Sequence, residues 1–243
     1  MRSTRTFTRL LVGIGVLALT ASACSSDSTT KTTTGPTTTV TAATTVPGTD
    51  APGTTVSSFT GTLKGLLEIA PGACAGTTVS GSYFRMLQPD GNFIPNADST
   101  CGDTTYSLLT PGTDGGLRLG DFQAAPDPAF DASGSGLAAK IAKPVKFFGV
   151  DFAAATDPSG GTPTITESNG MLTGDLSAFT AYYGAGMFNQ GSPKPDGSAA
   201  NLTGTIDPAT GKYVIEWTSL IAGGSFDGFT GVWHLEGTFT PAG

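Results

Sequence analysis

From Phe59 onward, apolar residues fall in short alternating or continuous runs, broken by Gly, Pro, Asn or Asp every eight to fifteen residues. Alternation over four to eight residues is the pattern of a strand with one face buried, and breaks at this spacing suit sheet turns. The clearest unit is Leu202 to Ile206, a turn through Asp207, Pro208 and Gly211, and a return from Lys212 to Trp217. Tyr213, Ile215 and Trp217 then share one face. Three further hairpins are predicted. VSGSYFRML (79–87) ends in QPDGN, TYSLLT (105–110) meets LRLGDF (117–122) across PGTDGG, and ITES (165–168) meets MLTGDL (171–176) across Asn169-Gly170. Asn-Gly tolerates positive φ at both central positions, which a two-residue hairpin turn requires. The last strand, TGVWHLEGTF (230–239), sets Trp233 and Leu235 against His234 and Glu236.

Helix is scarce in this pattern. LAAKIAK (137–143) stops at Pro144, and DLSAFTAYY (175–183) suits a strand equally well because Thr and Tyr favour one. An apolar–Thr–Gly–x–apolar motif appears as FTGTL at 59, LTGDL at 172, LTGTI at 202 and FTGVW at 229. Its unequal spacing argues against a solenoid. The shared Gly marks a bulge or a close backbone approach at equivalent strand starts. The expected fold is all-β: a single antiparallel β-sandwich or jelly-roll-like domain over 59–243, with a barrel as the alternative.

Composition separates this segment from what precedes it. Residues 59–243 hold all 5 Tyr, both Trp and all Phe but Phe7, enough aromatic surface for a packed interior despite abundant Gly and Pro. Residues 25–58 are rich in Thr and carry only Asp27, Lys31 and Asp50 as charges, with no aromatic residue. Such a tract buries no core and reads as a disordered spacer of roughly 30 Å as a coil or about 100 Å when extended. Its Ser, Thr and Pro also resemble an O-glycosylated stalk.

The first residues carry Arg2, Arg5 and Arg9 and no acid, followed by an apolar run from Leu10 to Leu19. As a helix that run spans about 15 Å, half of a hydrocarbon core, so it reads as an export signal over 1–23 and not as a permanent span. Ala21-Ser22-Ala23-Cys24 resembles the lipobox of bacterial lipoproteins, with Ala21 where that family usually has Leu. The resemblance implies diacylglycerol on the Cys24 thiol, cleavage before it, and residence on the extracytoplasmic face of the cell membrane. An ordinary signal peptidase would cut the same bond and leave a free thiol. Loss of the three Arg takes the net charge from −7 to −10, which disfavours nucleic-acid partners.

With Cys24 acylated, Cys74 and Cys101 remain as an even pair in an oxidising compartment and are expected to form a disulfide. Catalytic chemistry is limited by a single His. A Ser-His-Asp triad would have to use His234, and GGSFD (223–227) only approaches a nucleophile elbow. A zinc site is equally poor in ligands. Glu216, Asp227 and Glu236 supply carboxylates for a glycan hydrolase if they share a face. Asp98, Asp103 and Asp196 sit in Gly- or Asn-containing loops that suit calcium, yet none forms an ordered ligand loop and turn chemistry explains them. No cofactor motif is present.

The strongest recognition candidate is Tyr182-Tyr183 with the following loop, 184–198, which holds Asn189, Gln190 and Asp196 beside Met187 and Phe188. Adjacent strand residues face opposite ways, so one Tyr enters the core and the other is free for contact. Amides beside aromatics suit carbohydrate or protein recognition, with cell-wall polysaccharide or another envelope protein as partner. FNQGSPKPDGS (188–198) through GFTGVWHLEG (228–237) is similar to stretches in uncharacterised secreted bacterial proteins, a resemblance that implies no function. The expected function is a lipid-anchored binding or surface-structural domain of the cell envelope, with a carboxylate-based envelope glycan hydrolase as the alternative.

Overall fold

A computed structural model describes residues 59–194 and 196–243. The expected export signal, Cys24 and the Thr-rich tract lie outside the described residues. In order along the chain come β1 (Gly61–Leu63), β2 (Gly65–Ile69), β3 (Ala73–Ala75), β4 (Thr78–Ser80) and β5 (Tyr83–Leu87). There follow β6 (Ser107–Leu108), β7 (Gly116–Leu119), β8 (Val145–Phe147), β9 (Val150–Thr156) and β10 (Thr164–Ser168). The remainder holds β11 (Met171–Asp175), β12 (Phe179–Tyr183), β13 (Gly186–Asn189), β14 (Thr203–Ile206), β15 (Lys212–Leu220) and β16 (Thr230–Pro241). Among the described residues the one helical element is a 3-10 turn, Gly224–Phe226.

The fold is all-β, built from a 10-stranded antiparallel sheet packed on a 4-stranded one. The large sheet runs β1-β10-β11-β14-β15-β16-β2-β7, with β5 beside β16 and β6 beside β5. Its spine is β16. One side of it pairs with β15, while the other pairs with β5 through residues 230–234 and with β2 through 237–241. The sheet curls almost closed, because β1 and β2 are separated only by Lys64 yet lie towards opposite ends of the strand order. Gly120 N–H also donates to the Pro163 carbonyl at 2.8 Å, tying the chain after β7 to the chain before β10. The small sheet is β13-β12-β9-β8.

The two inner faces meet through aromatic rings. Phe84 packs on Phe152 at 5.2 Å, Phe179 on Trp217 at 5.2 Å, and Phe179 on Trp233 at 4.9 Å between centroids. These offset and edge-to-face contacts suit the ring quadrupoles and add to the burial term. The outer face of the small sheet is covered as well. Ala153, Ala155 and Tyr182 pack with Ala138, Ala125, Ala129 and Phe130, and the small side chains let an irregular segment lie close against the strands.

The Asn169-Gly170 hairpin forms as its sequence predicts, Ser168 opposite Met171, with φ of 53° and 79° at the two turn residues. The 202–217 hairpin forms too, and Tyr213, Ile215 and Trp217 are buried on one face. DLSAFTAYY contributes strand β12, and LAAKIAK forms no helix. The predicted pairing of 105–110 with 117–122 does not occur. Instead β6 pairs with β5 and β7 with β2, while the intervening turn bonds elsewhere, Gly112 N–H to the Ile141 carbonyl and Thr113 N–H to the Ala139 carbonyl. Glycine permits this redirection. A Cβ at Gly116 would stand 2.0 Å from the Leu67 carbonyl oxygen, so only a bare backbone can lie there.

Three of the four repeated Thr-Gly glycines are likewise demanded by close approach. A Cβ would reach 2.2 Å from the Thr164 carbonyl oxygen at Gly174, 2.2 Å from that of Val214 at Gly204, and 2.0 Å from Gln190 Oε1 at Gly231. Cys74 and Cys101 are bonded, with Cα atoms 5.5 Å apart, joining the β3-β4 hairpin to the 96–106 loop. Closing a 27-residue separation contributes about 3 kcal/mol in the loop-entropy account.

Candidate functional site

Between the sheets, at the end where β5 and β16 face β9 and β12, the packing is incomplete and leaves a cavity of ≈ 120 Å³. From the large sheet it is lined by Phe84, Met86 and Trp233, and from the small sheet by Phe152, Ala181 and Tyr183. Phe147, Phe188 and Phe226 also line it. Its walls carry no charged side chain. Aromatic rings make poor space fillers where several converge at one end of a sandwich, since each is rigid and its preferred contacts are edge to face.

Gln190 supplies the amide in these walls. It is buried, and both tryptophans hold it: Trp217 Nε1 donates to its backbone carbonyl at 2.7 Å, and Trp233 Nε1 donates to its Oε1 at 3.2 Å. The two indoles stack with planes 11° apart and centroids 6.0 Å apart, so the glutamine closes a bridge between their N–H groups. Gly231 provides the space that Oε1 occupies. The Nε2 group donates one hydrogen to the Asn189 carbonyl at 3.1 Å and leaves the other free. Tyr183 lines the same cavity, and its hydroxyl donates to the Phe147 carbonyl at 2.9 Å. Burial raises the Tyr183 pKa, and the Asp98 charge adds to this.

The five recognition candidates therefore divide. Tyr183 and Gln190 come together in the cavity. Tyr182 enters the opposite, outer layer and packs on Phe130 at 5.7 Å. Asn189 points outward, where its amide donates to the Ser177 carbonyl and accepts from Gly191 N–H, both at 2.9 Å. Asp196 lies in an exposed turn and accepts from the backbone and hydroxyl of Ser198, bonds that hold its carboxyl below the usual range. The loop expected at 184–198 is partly a strand. Gly184 and Ala185, at φ 57° and 61°, turn the chain so that β13 pairs back on β12.

Sequence reading missed Phe147, Phe148 and Phe226. Phe148 and Gly149 have φ of 51° and 80° and join β8 to β9, a hairpin whose Phe-Gly turn lacks the usual Asn or Asp. A bulky aromatic in the left-handed region is strained by roughly 1 kcal/mol or more. The signal available in the sequence was Gly149 between KFF and VDF, with apolar residues on both sides.

A second cluster occupies the outer face of the same strands. His234 Nδ1 bonds Glu216 Oε1 at 2.7 Å and its Nε2 bonds Glu236 Oε2 at 3.3 Å, while the ring stacks on Tyr83 at 4.5 Å. Glu236 also accepts from Gly81 N–H at 2.7 Å. Next to Tyr83, the Arg85 guanidinium lies between Phe93 and Tyr106, 3.4 and 4.3 Å from their ring centres. Glu216 and Glu236 do share a face, but the imidazole fills the space between them and leaves no room there for a glycosidic bond. Asp227 is elsewhere, accepting from Gly223 N–H at 2.6 Å. Ser225 lines the inner cavity, so the sheet separates it from His234.

Asp98 and Asp103 serve turns, accepting from Gly149 N–H and from Thr105 respectively. Among the described residues no three His, Cys, Asp or Glu side chains are grouped to hold a metal ion.

No protein-family model, curated protein or solved structure matches this chain significantly.

Proposed function

We propose that this chain is an exported, non-catalytic ligand-binding protein of the cell envelope, fastened to the outer face of the cell membrane by diacylglycerol on Cys24. Residues 25–58 then act as the tether that lets the sandwich stand off the bilayer. The lipobox-like Ala21-Ser22-Ala23-Cys24 supports the anchor. One acyl chain gives marginal membrane affinity, whereas two anchor stably. The observation that carries the binding role is the aromatic-walled cavity lined by Gln190, whose Nε2 group makes one hydrogen bond and has a second hydrogen to give. An apolar hollow with one directed polar group is the ordinary form of a small-molecule site. A run of sugar units does not fit into ≈ 120 Å³, so a polysaccharide partner would have to use the exterior.

Two measurements test this reading. Cells grown with a clickable fatty acid should label the wild-type chain and leave Cys24→Ala unlabelled and soluble. Titration of the purified chain with apolar aromatic compounds of graded size should find at least one that quenches its tryptophan emission saturably and raises its thermal midpoint, because a ligand that prefers the native state must do so. An unlabelled wild-type chain ends the anchor; indifference to every apolar compound ends the binding role.

A further inference from the structure

We infer that the cavity takes a single uncharged aromatic ring carrying an oxygen acceptor, of about phenol to benzyl alcohol size, admitted past Phe226. This rests on the binding role proposed above and narrows it to one chemistry.

Volume sets the size. Engineered cavities of about 150 Å³ hold one benzene, and this one measures ≈ 120 Å³. A fused ring system or a long acyl chain exceeds it. The walls set the character. Seven aromatic rings surround the space together with the Met86 thioether, so a ring can enter edge to face and against sulfur. With no cationic or anionic wall residue, a carboxylate or ammonium would lose its hydration without a partner. Gln190 sets the polar group. Trp233 N–H bonds to Oε1 and thereby orients the amide, leaving one Nε2 hydrogen to meet an acceptor. The Tyr183 hydroxyl has already given its proton to the Phe147 carbonyl and offers only its lone pairs, which suits a ligand hydroxyl that accepts from Gln190 and donates to Tyr183.

The entrance runs past Phe226, which lines the cavity half-buried on a turn in which Gly223, Gly224 and Gly228 all have positive φ. It leans on Phe147 at 5.6 Å, Tyr183 at 5.9 Å and exposed Phe148 at 5.7 Å. A Cβ at Gly224 would stand 2.8 Å from the Phe188 ring, so glycine there keeps the turn against the cavity wall. Phe148 is held at φ 51° in the position where it braces Phe226. Swinging one ring outward opens the hollow without disturbing a strand.

The test is a calorimetric and thermal-shift series on the full chain with phenol, benzyl alcohol, toluene, benzoate and N-phenyl-1-naphthylamine. Phenol and benzyl alcohol should bind one to one and raise the midpoint by about 3–6 °C at ten times Kd. Toluene should bind about 2- to 10-fold more weakly, having no acceptor for Gln190. Benzoate at pH 7 and the naphthylamine should shift nothing. Ala181→Leu, which fills the hollow, should keep or raise the unliganded midpoint and abolish the phenol shift, and Gln190→Met should bring phenol down to the level of toluene. Phe226→Ala should speed phenol association. If the naphthylamine binds and phenol does not, the ring-size inference fails while the binding role stands. If toluene equals phenol, or if Ala181→Leu still binds phenol, the assignment to Gln190 and to this cavity fails. If no compound binds, both readings fall. Should Gln190→Met not fold, the ligand series on the native chain decides alone.

Discussion

Phe84 and Trp233 pair across β5 and β16 with their side chains toward the small sheet, while Tyr83 and His234, one residue along on each strand, pair with side chains toward solvent. The two aromatic pairs share backbone and register, and their surroundings differ. On the outside, polar capacity is consumed locally: both imidazole nitrogens meet carboxylates, Glu236 also takes Gly81 N–H, and Arg85 is enclosed by two rings. On the inside, the rings leave a hollow and Gln190 keeps a donor free. A self-satisfied cluster stabilises a surface and leaves little for a ligand to add. An unfilled apolar space forfeits dispersion contacts that a ligand restores. The site is therefore placed by what the packing omits, on the side of the sheet where only side chains from both layers can meet.

That contrast can be broken experimentally, beginning with the largest effect. Trp233→Ala should cost about 3–5 kcal/mol in urea unfolding, because it removes a buried ring and frees Gln190 Oε1. His234→Ala, its neighbour, should cost about 1 kcal/mol, since its hydrogen bonds to Glu216 and Glu236 are partly exposed and its main contact is one stacked ring. Equal losses would mean that the two faces are energetically alike. Gly231→Ala should cost about 1–3 kcal/mol and weaken ligand binding together, because its methyl would displace the Gln190 amide from Trp233. A stable variant with intact binding would remove Gln190 from the site.

Titration separates the faces more gently. Burial pushes the Tyr213 phenol far above its ordinary value, and the Glu236 and Glu68 charges add to this. In the folded chain Tyr213 keeps its proton, which it donates to the Glu68 carbonyl, while the unfolded chain loses it near pH 10. The folded state binds more protons there, so stability is complete below about pH 10 and falls as pH rises beyond it. Tyr213→Phe should flatten that alkaline decline. Tyr83→Phe should flatten it less, because Tyr83 is only partly buried, although burial and then Tyr106 raise it too. The smallest effect concerns salt. Raising NaCl from 0.05 to 0.5 M, roughly a threefold shorter screening length, should leave binding of a neutral ring unchanged, because no charged side chain lines the cavity. Salt-sensitive binding would point to the outer face.

Much of this architecture was legible because it follows from local rules. The alternation in 212–217 and 230–239 put Tyr213, Ile215, Trp217, Trp233 and Leu235 inside, and Asn169-Gly170 announced its own turn. Cys74 and Cys101 were the remaining even pair. The misassigned pairing of 105–110 with 117–122 shows where local rules stop. A turn signal says that the chain reverses, but which strand it reverses onto depends on partners far away, here Leu67 of β2 and Phe84 of β5.

The candidate site divides in the same way. Tyr183 and Gln190 were visible as an aromatic and an amide close together in sequence. Their separation from Tyr182, Asn189 and Asp196 depended on which layer each side chain enters, and Phe226, more than thirty residues further on, was joined to them only by the packing of two sheets. Sequence by itself determined the all-β class, the inward residues of the long strands and the disulfide, since alternation, turn chemistry and cysteine parity act over short distances. Only the tertiary structure decided that a cavity exists and that Gln190 bridges two tryptophans at its wall. A void is a property of how distant surfaces fail to fill one another, and no stretch of chain contains that information.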